Sequence, residues 1–177
     1  MARARIGETF NFYRDGRGAA LRRERLRGYL EGRCEAPLLL VGEAAGYRGA
    51  RISGIPFMSE RQLTGCGPAE ATATIVRRVL AELGLEEETL CWNAVPTHPH
   101  LAGRPATNRR PTRGEIEGAR PLVDELAAGR RVIAVGRVAQ AALGAAYVRH
   151  PSHGGASEFR AGLLPFRPGG QGVRRFS

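Results

Sequence analysis

The run Pro37-Leu38-Leu39-Leu40-Val41-Gly42 decides the fold of this chain. Four consecutive large apolar residues between a proline and a glycine are typical of a short strand that is buried on both faces, as in a parallel sheet. Further strands are predicted at 89–95, 131–135 and 145–148. Helical patterns separate these strands, at 18–31, 68–83, 114–129, 137–143 and 156–164. This alternation predicts the α/β class, as a three-layer α/β/α sandwich around a central, mainly parallel four-stranded sheet.

The length of 177 residues suits a single domain with one core. Residues 1–16 are polar and rich in Gly and Arg, which predicts a loosely ordered extended arm. Residues 165–177 are rich in Pro, Gly and Arg, which predicts a loose tail. Residues 42–67 contain six glycines and are predicted to be irregular. An irregular segment of that length usually has a function.

The net charge of the chain is +10, and every one of its 27 basic residues is Arg. A basic excess of this size on a small domain indicates a polyanionic partner, most often nucleic acid. The longest apolar run is far shorter than the ~20 residues that a membrane-spanning helix needs. We therefore expect a cytoplasmic monomer that needs no membrane and no obligatory protein partner.

The three cysteines Cys34, Cys66 and Cys91 are isolated from one another. No Cys-x-x-Cys pair is present, so the sequence does not support a zinc or iron-sulfur site. We expect three reduced thiols. Cys34 and Cys91 lie beside predicted strands and are expected to be buried.

Polar residues collect where the predicted strands end. Ligands of open parallel sheets bind beyond the carboxyl ends of the strands. Glu43 follows the first strand in a glycine turn, where its carboxylate would hold a water or stabilise a developing cation, unless it is simply a solvated turn residue. Asn93 lies near the end of the second strand, where its amide would read the edge of a base or hold a loop.

All four histidines fall in two short clusters, His98 with His100 and His150 with His153. One interpretation is a zinc site, since imidazoles at short spacing suit this metal. The alternatives are surface histidines, or one catalytic histidine with others near phosphates. Phe57 lies in the irregular segment, either as an anchor packed on the core or as a stacking platform.

Taken together, these pieces resemble the uracil-DNA glycosylase superfamily from about residue 37 to 164, and especially its family 4-like and related bacterial branches. The Gly-Glu-Ala-Pro-Gly motif of family 4 is similar to Gly42-Glu43-Ala44-Ala45-Gly46, and its His-Pro-Ser motif matches His150-Pro151-Ser152. The segment 108–112, Asn-Arg-Arg-Pro-Thr, resembles the family's Asn-Arg-x-Pro-Thr.

The resemblance implies a monofunctional glycosylase that flips uracil out of DNA and hydrolyses its N-glycosidic bond, which initiates base excision repair. It assigns catalysis to His150, as hydrogen-bond donor to uracil O2, and to Glu43. Phe57 stacks on uracil and Asn93 reads it, and the other substrate-binding residues are Gly42, Ala44 and Tyr47. The turn that binds DNA phosphates comprises Ser152, His153, Gly154 and Gly155, and Arg160 follows it.

Some features depart from the family. The iron-sulfur cluster of family 4 is not expected here, so we predict no cofactor and no metal. Ala44 and Gly46 stand where family 1 enzymes have a water-activating Asp and a thymine-excluding Tyr, so we expect an atypical branch. The alternatives are a metal-dependent hydrolase that uses the clustered histidines, and a protein that binds uracil or abasic sites in DNA without turnover or covalently.

Overall fold

A computed structural model describes residues 1–168 of the chain. Six strands and seven helices follow one another in this part of it. The strands are β1 (Thr9–Phe10), β2 (Leu38–Ala44), β3 (Thr89–Val95), β4 (His98–Pro99), β5 (Arg131–Val135) and β6 (Ala146–Val148). The helices are α1 (Ala19–Glu31), α2 (Ala50–Ser53), α3 (Glu60–Thr64), α4 (Ala71–Glu82), α5 (Arg113–Ala127), α6 (Arg137–Leu143) and α7 (Ala156–Leu163), and a 3-10 turn at Leu164–Phe166 follows.

The central sheet has four parallel strands in the order β3-β2-β5-β6. One face of the sheet, with Leu40 and Ile133, packs on apolar residues of α4 and α7. The other face, with Leu39 and Trp92, packs on apolar residues of α1 and α5. The predicted three-layer α/β/α architecture is therefore confirmed. It follows from the sequence because strands buried on both faces need helices on both sides.

The first strand is longer than the sequence predicted. β2 continues past Val41 to Ala44, because Gly42 pairs with Asn93 and Ala44 with Val95 of the fully buried β3. On its other side β2 pairs with β5 only as far as Val41. Glu43 thus lies within the end of a strand, not in the glycine turn that was predicted.

The segment 1–16 differs from the loosely ordered arm that the sequence predicted. β1 pairs antiparallel with β4, and the side chains of Phe12 and Tyr13 are fully buried. The Tyr13 hydroxyl donates to the Gly54 carbonyl, 2.9 Å away. These apolar side chains fasten the segment to the core, which its polar composition concealed.

Smaller corrections concern the irregular segment, one helix and one thiol. The segment 42–67 contains the short helices α2 and α3. α4 begins at Ala71 and not at Pro68, since the backbone of Glu70 is extended. Cys91 is buried as predicted, but Cys34 is exposed because it lies in the loop before β2. The predicted loose tail begins at residue 165, but its first residues lie in the 3-10 turn, and Phe166 is buried there against the core. From 169 onward the tail lies outside the described residues.

No helix within residues 1–168 is long and apolar enough to cross a membrane.

Candidate active site

A cavity of about 210 Å³ opens at the carboxyl end of the central sheet. Three of its walls come from strand ends, because parallel strands bring their carboxyl termini to one edge. These walls are Glu43 at the end of β2, Asn93 on β3 and His150 after β6. Phe57 closes the cavity from the irregular segment. The structure thus brings together the four side chains that sequence reasoning had singled out.

Phe57 lies directly over the backbone of Gly42. A Cβ atom on Gly42 would stand only 2.5 Å from Phe57 Cζ and 3.1 Å from Asn93 Oδ1. Position 42 therefore requires glycine, because the Phe57 ring and the Asn93 amide approach its backbone too closely for a Cβ atom. Glycine lets the ring and the amide meet at the strand end, so Gly42 shapes the cavity by having no side chain.

The backbone of Phe57 has φ of +51°, which is rare for a residue other than glycine. The buried guanidinium of Arg77, on α4, holds this conformation. Its Nε donates to the Phe57 carbonyl at 3.1 Å and its Nη2 to the Pro56 carbonyl at 3.3 Å. Phe57 is thus a buried anchor and also a wall of the cavity, and its role as a stacking platform stays a prediction.

Asn93 is 5% exposed, and its side chain lines the cavity. Among residues 1–168, no group forms a hydrogen bond with its amide. Buried amides in native proteins are nearly always paired. An enclosed donor and acceptor that face a cavity are suited to a ligand with the complementary pattern.

His150 is half-buried and held by the turn that follows it. The Ser152 backbone N–H donates to His150 Nδ1 at 3.2 Å, and Ser152 Oγ lies 2.7 Å from the same atom. Because a backbone N–H can only donate, Nδ1 is an acceptor and the neutral ring carries its proton on Nε2. Burial lowers the pKa of His150, and the positive charge of Arg149 lowers it further. The site thus offers a neutral imidazole that donates from Nε2.

Two carboxylates line the cavity, Glu43 and Glu70. Burial raises the pKa of Glu43, an effect that nearby Arg110 partly offsets. Burial also raises the pKa of Glu70. Sequence reasoning missed Glu70, since a glutamate just before a helix gives no sign that it will face a cavity.

Other residues of the wall were also missed. They are Thr72, Pro99, Asn108 and Arg109. Asn108 Oδ1 accepts from the Tyr47 backbone N–H at 2.9 Å, and Arg109 forms a bidentate ion pair with the buried Glu115. The segment 108–112, which resembles a motif of the family, could have indicated that Asn108 and Arg109 belong to the site.

Ala44 lines the cavity, but Tyr47, predicted as a substrate-binding residue, is not among the residues of its wall. The Tyr47 ring packs against Arg51, 4.8 Å from the guanidinium carbon. Its contribution to this site is therefore through the backbone contact with Asn108.

The turn Ser152–Gly155 leads into α7 and contains two residues with positive φ, His153 at +52° and Gly154 at +78°. A Cβ atom on Gly155 would collide with the His150 carbonyl, so the turn lies tightly against the catalytic candidate. His153 is exposed. Arg160, on α7, is exposed and lies 3.4 Å from a Glu82 carboxylate oxygen.

The histidine clusters do not form a ligand set within the part of the chain that the structure describes, where no group of three or more His, Cys, Asp or Glu could hold a metal ion. His98 is fully buried. Its two ring nitrogens lie 2.9 Å from the Ala45 carbonyl and 3.3 Å from the Pro105 carbonyl. These contacts give His98 a structural role, which is to tie Ala45, just after β2, to the loop between β4 and α5.

Comparison with solved structures finds a similar chain in the wild-type crystal structure of SMUG2 from Pedobacter heparinus. The TM-score is 0.66 with 12% sequence identity, over 92% of this chain and 89% of that chain. The likeness shows that this chain shares its α/β fold with that protein. The uracil-DNA glycosylase superfamily and its family 4-like branch stay predictions. No protein-family model and no curated protein matches the sequence.

Proposed function

We propose that the protein is a monofunctional uracil-DNA glycosylase. One observation carries the proposal: the Nε2 donor of neutral His150, the unfilled amide of Asn93 and the ring of Phe57 line one cavity. These groups offer the donors, acceptor and stacking surface that a single pyrimidine base requires.

The size of the cavity fits a base that has left the duplex. Flipping a nucleotide costs a few kcal/mol, and stacking on an aromatic ring returns roughly 1–3 kcal/mol. Uracil would stack on Phe57, accept at O4 from the Asn93 amide and donate from N3 to its oxygen. Cytosine presents the opposite pattern on this edge, which would leave buried groups unpaired.

Cleavage of the glycosidic bond leaves negative charge on uracil and positive charge on the sugar. His150 Nε2–H would donate to O2 and stabilise the uracil anion. A neutral imidazole suits this role, because it donates without giving up its proton. Glu43 would stabilise the sugar cation or hold the attacking water.

Contacts with DNA would come from the basic surface around the cavity. The net charge of +10 favours association with a polyanion. Arg48 and Arg149 are exposed, lie next to residues of the site in sequence, and form no ion pair with any residue from 1 to 168. The backbone amides of Ser152 to Gly155 would bind the phosphates that flank the flipped nucleotide.

The decisive experiment incubates the purified protein with a uracil-containing oligonucleotide, with and without EDTA. Free uracil is measured by mass spectrometry, and the DNA is run on a denaturing gel. We expect release of free uracil that EDTA does not affect. A shifted band with at most one uracil released per protein molecule would support the covalent alternative, in which the protein replaces uracil at C1′. EDTA-sensitive turnover would support the metal-dependent hydrolase.

A pair of histidine variants makes the test specific to the site. His150→Ala should slow excision by about 10²–10³-fold, as expected for the loss of one donor to a developing anion. His100→Ala is the matched control, since His100 lies outside the cavity wall, and it should excise at the wild-type rate. Full activity of His150→Ala would overturn the assignment.

A further inference from the structure

Glu70 is partly buried at the edge of the cavity, immediately before α4. Its carboxylate packs on the loop that follows β2. A Cβ atom on Gly46 would lie 2.7 Å from Glu70 Oε1, and one on Gly49 would collide with Oε2. The two glycines therefore leave the space in which this carboxylate sits.

The Glu70 carboxylate has no hydrogen bond or ion pair with the described residues, 1–168. Two other carboxylates with low exposure among the described residues are paired with arginine. Glu60 forms a bidentate contact with Arg25, and Glu115 forms one with Arg109. An enclosed carboxylate without a partner is costly for folding, and such groups concentrate at functional sites.

The order of the strands determines which side of a bound base Glu70 would face. Asn93 lies on β3, at one edge of the sheet, and His150 follows β6, at the other edge. The end of β2 lies between them. A uracil that contacts Asn93 through N3 and O4 and His150 through O2 turns this edge toward the sheet. Its N1 side, with the attached sugar, then faces away from the sheet. Glu70 and Gly46 belong to the cavity wall outside the sheet.

We propose that Glu70 is a second catalytic carboxylate, which faces C1′ of the flipped deoxyribose and accepts the proton of the attacking water. This inference rests on the proposed function. The bond from C1′ to N1 breaks and its electron pair remains on uracil. The water oxygen forms the new bond to C1′, and one water proton passes to the Glu70 carboxylate and later to solvent.

The two carboxylates of the cavity differ in their surroundings. Arg110 lowers the pKa of Glu43 against the effect of burial, whereas burial alone acts on Glu70 and raises its pKa. The more basic carboxylate is the better proton acceptor. In its ionised form, Glu70 forms no ion pair with arginine among residues 1–168 that would offset its charge near the cationic sugar.

The test compares Glu70→Gln with Glu125→Gln. Glutamine keeps the shape that packs on Gly46 and Gly49 but removes the charge and most of the basicity. Glu125 is exposed on α5, so its variant controls for the loss of one negative charge in binding to DNA. In single-turnover excision, Glu70→Gln should be slower by about 10²-fold, and Glu125→Gln should match the wild type. Excision by Glu70→Gln at the wild-type rate would overturn the proposal.

A binding measurement tests Glu70 without turnover. Two oligonucleotides are used, one with a cationic pyrrolidine abasic analogue and one with its neutral tetrahydrofuran counterpart. The wild type should bind the cationic analogue more tightly, and Glu70→Gln should lose this preference. If the wild type releases no uracil, the proposed function fails, and this comparison still decides about Glu70. Equal preference in the wild type and Glu70→Gln would overturn its role.

Discussion

Replacement of Gly42 by alanine tests the way in which the site is built. The added methyl carbon would stand 2.5 Å from Phe57 Cζ and 3.0 Å from Cε2, where ordinary contacts begin at 3.4 Å. The ring must therefore retreat by about 0.9 Å, the difference between the contact at Cζ and ordinary separation. Asn93 Oδ1, at 3.1 Å, must also give way.

The surroundings resist this movement. Phe57 is 8% exposed, and Arg77 holds its carbonyl in a strained backbone conformation. A displacement of about 1 Å in a group that positions substrate can lower the rate by about 10²-fold. Overpacking of this kind costs about 1–3 kcal/mol of folding stability. Gly42→Ala should thus remain folded, with a lower Tm and much slower excision.

The assay is single-turnover excision of uracil, with thermal unfolding measured on the same samples. Gly118→Ala is the matched control, because Gly118 lies on α5 and nothing stands within 4 Å of a Cβ added there. It should keep the wild-type rate and be neutral or slightly stabilising. If Gly42→Ala excises uracil at the wild-type rate, whatever its Tm, the reasoning that Gly42 positions the Phe57 ring and the Asn93 amide is refuted.

Four further outcomes are expected from the site. Asn93→Asp should reduce the preference for uracil over cytosine, because the amide donor to O4 is lost; an unchanged ratio of the two excision rates would contradict the base-reading role. Arg77→Met should lower the Tm and raise the KM more than it lowers kcat, since it releases the Phe57 and Pro56 carbonyls; wild-type values of both would exclude a role in positioning the ring. Excision should stay level as pH falls to the ordinary histidine pKa of about 6.5 and decline below it, because protonated His150 Nδ1 can no longer accept from the Ser152 N–H. The same lowered pKa of His150 makes folding stability fall as pH drops below that ordinary value, since the unfolded chain takes up the proton first. A pH series of the excision rate and of the Tm checks these two pH effects. The series is repeated in Glu43→Gln, which removes the titration of that carboxyl.

The local sequence pattern predicted the layers of the fold and the central side chains of the cavity wall. Runs such as 37–41 are apolar at every position, and this local pattern requires a strand that is covered on both faces. Once the strands are parallel, residues at their carboxyl ends share one edge, so Glu43, Asn93 and His150 could be predicted to meet. Phe57 was predicted as a site residue because its position resembles that of the uracil-stacking Phe of the family.

Other features depend on contacts between distant parts of the chain and could not be predicted from the local pattern. Phe12 lies in a polar stretch and reaches the core because β1 pairs with β4, almost 90 residues later. The end of β2 at Ala44 depends on its partner β3, which alone pairs beyond Val41. Glu70 lies in the cavity because Gly46 and Gly49 leave room for its carboxylate. Periodicity and propensity report on neighbours within a few residues, whereas packing between separate loops leaves no trace in the local pattern.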